Sequence, residues 1–268
     1  MNAKELYEAG RLGEAIAAAT AEVKRAPTNS AARNLLCELL CFAGEWERAD
    51  KQADAIAMDD PRAAVMVSLM RHLIRAETAR QDFYLQGRVP EFLEPPSPRL
   101  RLHLEASIAM REGNGPEASR LLAEAEAMRP QLSGTCNGTP FTEIRDLDDL
   151  TGSFFEVLTG NGKYYWVPFE AVDTVEFHPP KYLHDLIWRS CHLVVRGGPD
   201  GEVYLPALYA GSHADPDERI RLGRLTDWRG GEGSPVRGVG QRMFLVGDAD
   251  MTIFEFRDLS IHSPEPAA

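Results

Sequence analysis

An internal repeat constrains this chain more than any other feature. The stretches GRLGEAIAAATAEVKRAP, GEWERADKQADAIAMDDP and GNGPEASRLLAEAEAMRP align without a gap. Each carries Gly, then Ala, then Pro at one spacing: Gly10, Ala15, Pro27; Gly44, Ala49, Pro61; Gly113, Ala118, Pro130. The spacing predicts paired helices. Glycine closes the first helix where φ is positive, alanine lets the second pack closely against it, and proline ends the second. Leu12 and Trp46 share the slot two residues after the glycine, where a bulky side chain wedges between the pair. Residues 62–101 keep a helical period but place Phe83 where the small alanine belongs. A degenerate repeat is expected there, with 90–98 (PEFLEPPSP) as a rigid loop.

After Pro130 the Ala-rich pattern gives way to short aromatic and β-branched runs broken by Gly, Asn, Asp and Pro. This predicts an α+β chain: tetratricopeptide-like helical repeats over residues 1–130, a linker at 131–140 that its Gly and Pro keep irregular, and a β-rich domain over 141–262. Strands are expected at 154–158, 164–168, 173–177, 189–195, 202–207, 241–246 and 251–256. Turns at 159–163, 197–201 and 247–250 would join them into a mostly antiparallel sheet or small barrel. Short helices fit IRDLDDL and DERIRLG, and 263–268 reads as a frayed tail. Tetratricopeptide units are scaffolds whose stacks offer a groove to a peptide or helix of another protein.

Charge narrows the partners. Of the net −12, residues 1–130 carry 17 basic and 20 acidic side chains, and 131–268 carry 12 and 21, so most of the negative excess lies on the β half. Such a field repels nucleic acid and anionic lipid. No window reaches the roughly 20 apolar residues of a membrane helix, and MNAKELYEAG lacks the features of a signal peptide. A cytoplasmic protein is expected, with its four cysteines reduced.

Enzyme chemistry finds little support in the residues. Cys191 and His192 are strand neighbours on opposite faces and cannot form a dyad. His178, His184 and His192 lack the short spacings of a zinc site, and Cys37 and Cys41 have no second ligand pair nearby. Asp146, Asp148 and Asp149 read as a helix N-terminus or solvated turn. Residues 230–241 (GGEGSPVRGVGQ) read as a mobile surface loop, since a phosphate loop must follow a strand and open a helix. Arg219, Arg221 and Arg224 sit among Asp215, Asp217, Glu218 and Asp227, which neutralise them. No catalytic residue, metal or cofactor is expected.

The strings EIRDLDDLTGSFFEVLTGNGKYYWVPFEAV, DLIWR, GEVYLPALYAGS, IRLGRLTDW and VRGVGQRMFLVGD resemble the ImpE family, also called TagJ or SciE-type proteins, of bacterial type VI secretion. The resemblance covers nearly the whole chain, and LGRLTDW (222–228) is its most specific piece. It implies a cytoplasmic accessory protein that binds the small subunit of the contractile sheath and assists its handling by the recycling ATPase. The alternatives are a chaperone for a secreted effector and, least supported, an enzyme built on the β domain. Candidate partner contacts are Arg224, Asp227, Trp228, Trp166 and Trp188, since Arg and Trp are enriched at binding hot spots. The tryptophans read equally as core, and Arg224 and Asp227 as a pair that shapes a loop.

Overall fold

Three left-handed glycines set the pitch of the helical half. In the computed structural model, which describes residues 1–59 and 63–262, Gly10, Gly44 and Gly113 have φ of 78°, 71° and 75°. Each ends a helix with the same bond, in which the amide after the glycine reaches five residues back: Arg11 N to Leu6 O, Glu45 N to Leu40 O and Asn114 N to Ala109 O. The helices so closed are α1 (Ala3–Glu8), α3 (Ser30–Phe42) and α6 (Pro98–Arg111). Each folds back into α2 (Leu12–Arg25), α4 (Trp46–Asp59) or α7 (Gly115–Ala127). Ala15, Ala49 and Ala118 are fully buried, as close helix contact requires. Pro61 of the second copy and the 263–268 tail lie outside the described residues.

The stretch expected to hold a degenerate helix pair is instead one helix, α5 (Ala64–Gln86), 23 residues long. No turn chemistry interrupts it before Gly87, which caps it at φ 79°. Phe83, too large for a helix–helix contact, turns to the β half and meets Trp166 edge-on at 4.9 Å. The loop that follows is part of the sheet: Glu91 N donates to Tyr164 O at 2.9 Å and Trp166 N to Glu91 O at 3.1 Å, covering an otherwise open strand edge.

The β half holds an open eight-stranded antiparallel sheet, not a barrel. Its strands are β1 (Gly134–Cys136), β2 (Thr139–Phe141), β4 (Phe154–Thr159), β5 (Tyr164–Pro168), β6 (Val172–Phe177), β7 (Trp188–Val195), β8 (Asp200–Pro206) and β13 (Asp258–Ile261). They lie in the order β2-β1-β13-β6-β7-β8-β4-β5. A three-stranded sheet joins β3 (Ile144–Asp146), β11 (Met243–Val246) and β12 (Ala249–Thr252), and a separate hairpin joins β9 (Thr226–Gly231) to β10 (Ser234–Gly240).

Several sequence expectations fail here. The 131–140 linker is not irregular: β1 and β2 form a hairpin within it, and β1 pairs with β13. IRDLDDL opens as strand β3, and MTIFEF leaves its strand after Thr252, where Ile253 and Phe256 turn into the core. The 230–241 run is largely strand β10, its glycines serving the hairpin's close contacts.

Two cores result. One lies between the main and three-stranded sheets, around Phe155, Phe169, Leu193, Phe244 and Phe256. The other runs through the helices and continues into the sheet's opposite face through Phe154, Leu158, Tyr164, Trp166 and Trp188. Alternation along the strands divides residues between the cores: Phe154 and Phe155, adjacent on β4, serve different ones.

Candidate partner-binding site

Where the helices meet the sheet, a buried ionic network joins them. Glu156 on β4 is fully buried and receives Arg80 of α5 at 2.9 Å, Arg242, Tyr84 Oη at 2.9 Å and Tyr164 Oη at 2.5 Å. Arg80 also reaches Glu77 at 2.9 Å and Leu208 O at 3.1 Å, and Trp188 Nε1 donates to Glu77 at 3.0 Å. Burial alone would raise the Glu156 pKa; the two arginines override it and hold the carboxyl well below the usual carboxylate range. Asp146, beside Arg242, is pushed up to about 6 by burial, which outweighs the arginine's pull. The signal for this network was in the sequence, as Glu156 inside FFEVL and Glu77 and Arg80 one turn apart in α5.

The aspartates at 146–149 are not a solvated turn. Asp146 and Asp148 are buried; Asp148 accepts Leu150 N, Gly238 N and both contacts from Arg237 Nε, at 2.7–3.0 Å. They organise the crossing between β3 and the β9–β10 hairpin.

Trp166 and Trp188 are core residues rather than partner contacts. At 1% and 0% exposure they present nothing to solvent, Trp166 stacking on Phe154 at 4.1 Å and Trp188 facing Trp46 at 6.4 Å. Arg224 and Asp227 do not pair. Arg224 donates to Tyr7 O at 2.7 Å and Glu8 O at 2.8 Å, a cation at the C-terminus of α1, with its guanidinium over the Tyr7 ring. Nearby Glu218 accepts Leu12 N at 3.1 Å and Gly13 N at 2.7 Å, capping α2, whose own N-cap residue, Arg11, makes no side-chain bond to the helix amides. The two charges clamp the first helix turn to the β half. Asp227 instead bonds Arg229. Trp228 remains 37% exposed, its ring 5.8 Å from Tyr209, while Gly238 opposite leaves room for that tyrosine.

The remaining chemistry candidates are dispersed. Cys191 is buried, burial raising its pKa, while His192 points out to Glu202 and Asp200. His178 joins Glu202, but His184 is drawn to Glu38 of α3 at 2.8 Å. All four cysteines are free and buried. Among the described residues no three His, Cys, Asp or Glu are placed to hold a metal ion, and no helix is long and apolar enough to cross a membrane.

A groove of about 260 Å³ opens between α3, α4 and α5. Asn34 and Cys37 of α3, Ala53 and Ile56 of α4, and Met66 and Met70 of α5 line it, with Met66 47% exposed. Methionine is unbranched and polarisable, suited to an apolar surface that adapts to its occupant.

Comparison with known proteins places this architecture. Residues 138–260 match the ImpE protein family model, and residues 6–73 match a tetratricopeptide repeat model. The type VI secretion system accessory component TagJ of Pseudomonas aeruginosa is 32% identical over 259 residues, 97% of this chain and 90% of that protein. The chain belongs to the ImpE/TagJ family. A crystal structure of a Vibrio parahaemolyticus protein superposes with a TM-score of 0.90 at 27% identity, covering 97% of both chains. The helix-then-sheet order of this chain is shared with that structure, and in this chain the clamp at Arg224 and the Glu156 network lie at the junction.

Proposed function

We propose that this ImpE/TagJ-family chain is a non-enzymatic, cytoplasmic adaptor of a type VI secretion system that holds a segment of the contractile sheath's small subunit and assists sheath handling by the recycling ATPase. The observation that carries the reading is the Met-lined groove of α3, α4 and α5, within a stretch that largely matches a tetratricopeptide repeat model. Such repeats bind segments of other chains in their grooves. Likeness to TagJ over nearly the whole chain supplies the setting. A helix is the occupant that fits, since apolar side chains at i, i+3 and i+4 would lie along Met66, Met70 and Ile56.

Titration of synthetic sheath-subunit peptides against the intact chain tests this. Met66→Glu should weaken binding about tenfold or more by placing a charge against apolar contacts, with the melting temperature held. A wild-type protein that binds no sheath segment defeats the reading. Capture of secreted effectors in place of the sheath subunit would favour the chaperone alternative.

A further inference from the structure

Beside the network, with Tyr84 common to both, a second cleft of about 590 Å³ separates the ends of α5 and α6 from the β9–β10 hairpin. Its walls carry Arg111, Arg229 and Arg237, with Leu85, Met110 and Val239 between them. Arg229 and Arg237 stand directly opposite on the hairpin, an arrangement that like charges disfavour. Arg237 turns its Nε to Asp148, while its Nη1 finds only the Met110 sulfur at 3.8 Å, a weak acceptor. Arg229 bonds Asp227 and Asp215 but stays half-exposed. Among the described residues Arg111 has neutral acceptors alone, Phe83 O at 3.1 Å and Ser107 Oγ at 3.2 Å. In a chain of net charge −12, this is a local concentration of guanidinium donors. Leu85 is 71% exposed at the rim, and Ile108 on α6 is exposed as well.

We propose that this cleft receives an acidic segment of a partner protein, its carboxylate taken by Arg111 and Arg237 and its flanking apolar side chains by Leu85 and Val239. A small free anion fits less well: the overall field repels it as it does an acidic peptide, and it would leave Leu85 uncovered. A peptide gains apolar burial as well as the charged bonds. The proposal stands on the cleft itself and is independent of what the α3–α5 groove holds.

Selection of random dodecapeptides displayed against the intact chain, with counter-selection on Arg111→Gln and Leu85→Asp, tests it. Asp or Glu beside Leu or Phe should dominate the variant-sensitive binders. A synthetic consensus peptide should lose about tenfold or more in affinity in each variant, the loss of one charge-assisted bond or of its apolar seat. Its Gln counterpart should lose as much on the wild type, and Met66→Glu should change nothing. Both variants should keep the wild-type melting temperature. The proposal is overturned by a basic consensus, by the absence of variant-sensitive peptides, by equal binding of the Gln counterpart, or by displacement with millimolar glutarate, which would make the cleft a small-anion site.

Discussion

His103 is the clearest case of a side chain whose surroundings decide its chemistry. Its Nδ1 lies 2.9 Å from Leu150 O, which can only accept, so Nδ1 carries the proton and Nε2 accepts from Ser153 Oγ at 3.0 Å. Burial lowers its pKa from 6.5 to about 4. Stability from the neutral ring is therefore complete above pH 6.5 and lost as pH falls through 4, about 3 kcal/mol in order of magnitude. Asp146 runs the other way. With its pKa raised from 3.8 to about 6, its contribution is complete below 3.8 and lost as pH rises through 6. Thermal melts between pH 7 and 4 should accordingly show a shallower fall for His103→Gln and a steeper one for Asp146→Asn. The tryptophans divide by exposure. Trp188→Ala should cost about 3–5 kcal/mol, whereas Trp228→Ala, half in solvent on Tyr209, should cost about 1–2. If Trp228 also contacts the partner, sheath-peptide affinity should fall at temperatures where the variant is still fully folded; equal losses in chemical denaturation for the two variants would refute the division.

At the scale of elements, α5 and β4 are joined by charge as well as by apolar packing. Glu156 neutralises arginines from α5 and from the segment preceding β11, and removing its charge leaves the two buried guanidiniums with only Glu77 and Asp146 and takes away the carboxylate they share. Glu156→Gln should destabilise the chain by about 3–5 kcal/mol. Replacing Glu156, Arg80 and Arg242 together with apolar residues of similar volume should not recover that loss, since Glu77 and Asp146 would then be buried without their cations. Urea titrations of the single and triple variants check this, and a single variant as stable as wild type would show the network to be dispensable. The strands around it were largely legible: β5 and the turns after β4, β7 and β11 follow from alternation and turn residues. β9, β10 and β13 were not: SPVRGVG has too little apolar alternation to announce its side of the β9–β10 hairpin, and DLSI, only four residues long, pairs with strands far along the chain.

For the molecule as a whole, the shared core implies one cooperative unit. Trp166 and Trp188 belong to the β half by sequence and to the helical core by packing. Circular dichroism of the helices and tryptophan fluorescence should therefore lose their signals at the same denaturant concentration. Fragments 1–130 and 131–268 expressed apart should fail to fold, each exposing half of that core. Two separate transitions, or two stable proteolytic fragments, would show the halves to be independent.

What the residues determined alone was the local grammar: three glycines that must turn left-handed, three alanines that must be small, turns that must reverse, and a net negative charge that repels phosphate backbones. These depend on steric and electrostatic properties acting over a few residues. Which charges are buried, that Arg224 holds a helix end 216 residues away, that an expected linker becomes sheet edge and that two arginines face one cleft were decided by tertiary contact. Burial and pairing belong to juxtapositions that no spacing along the chain encodes.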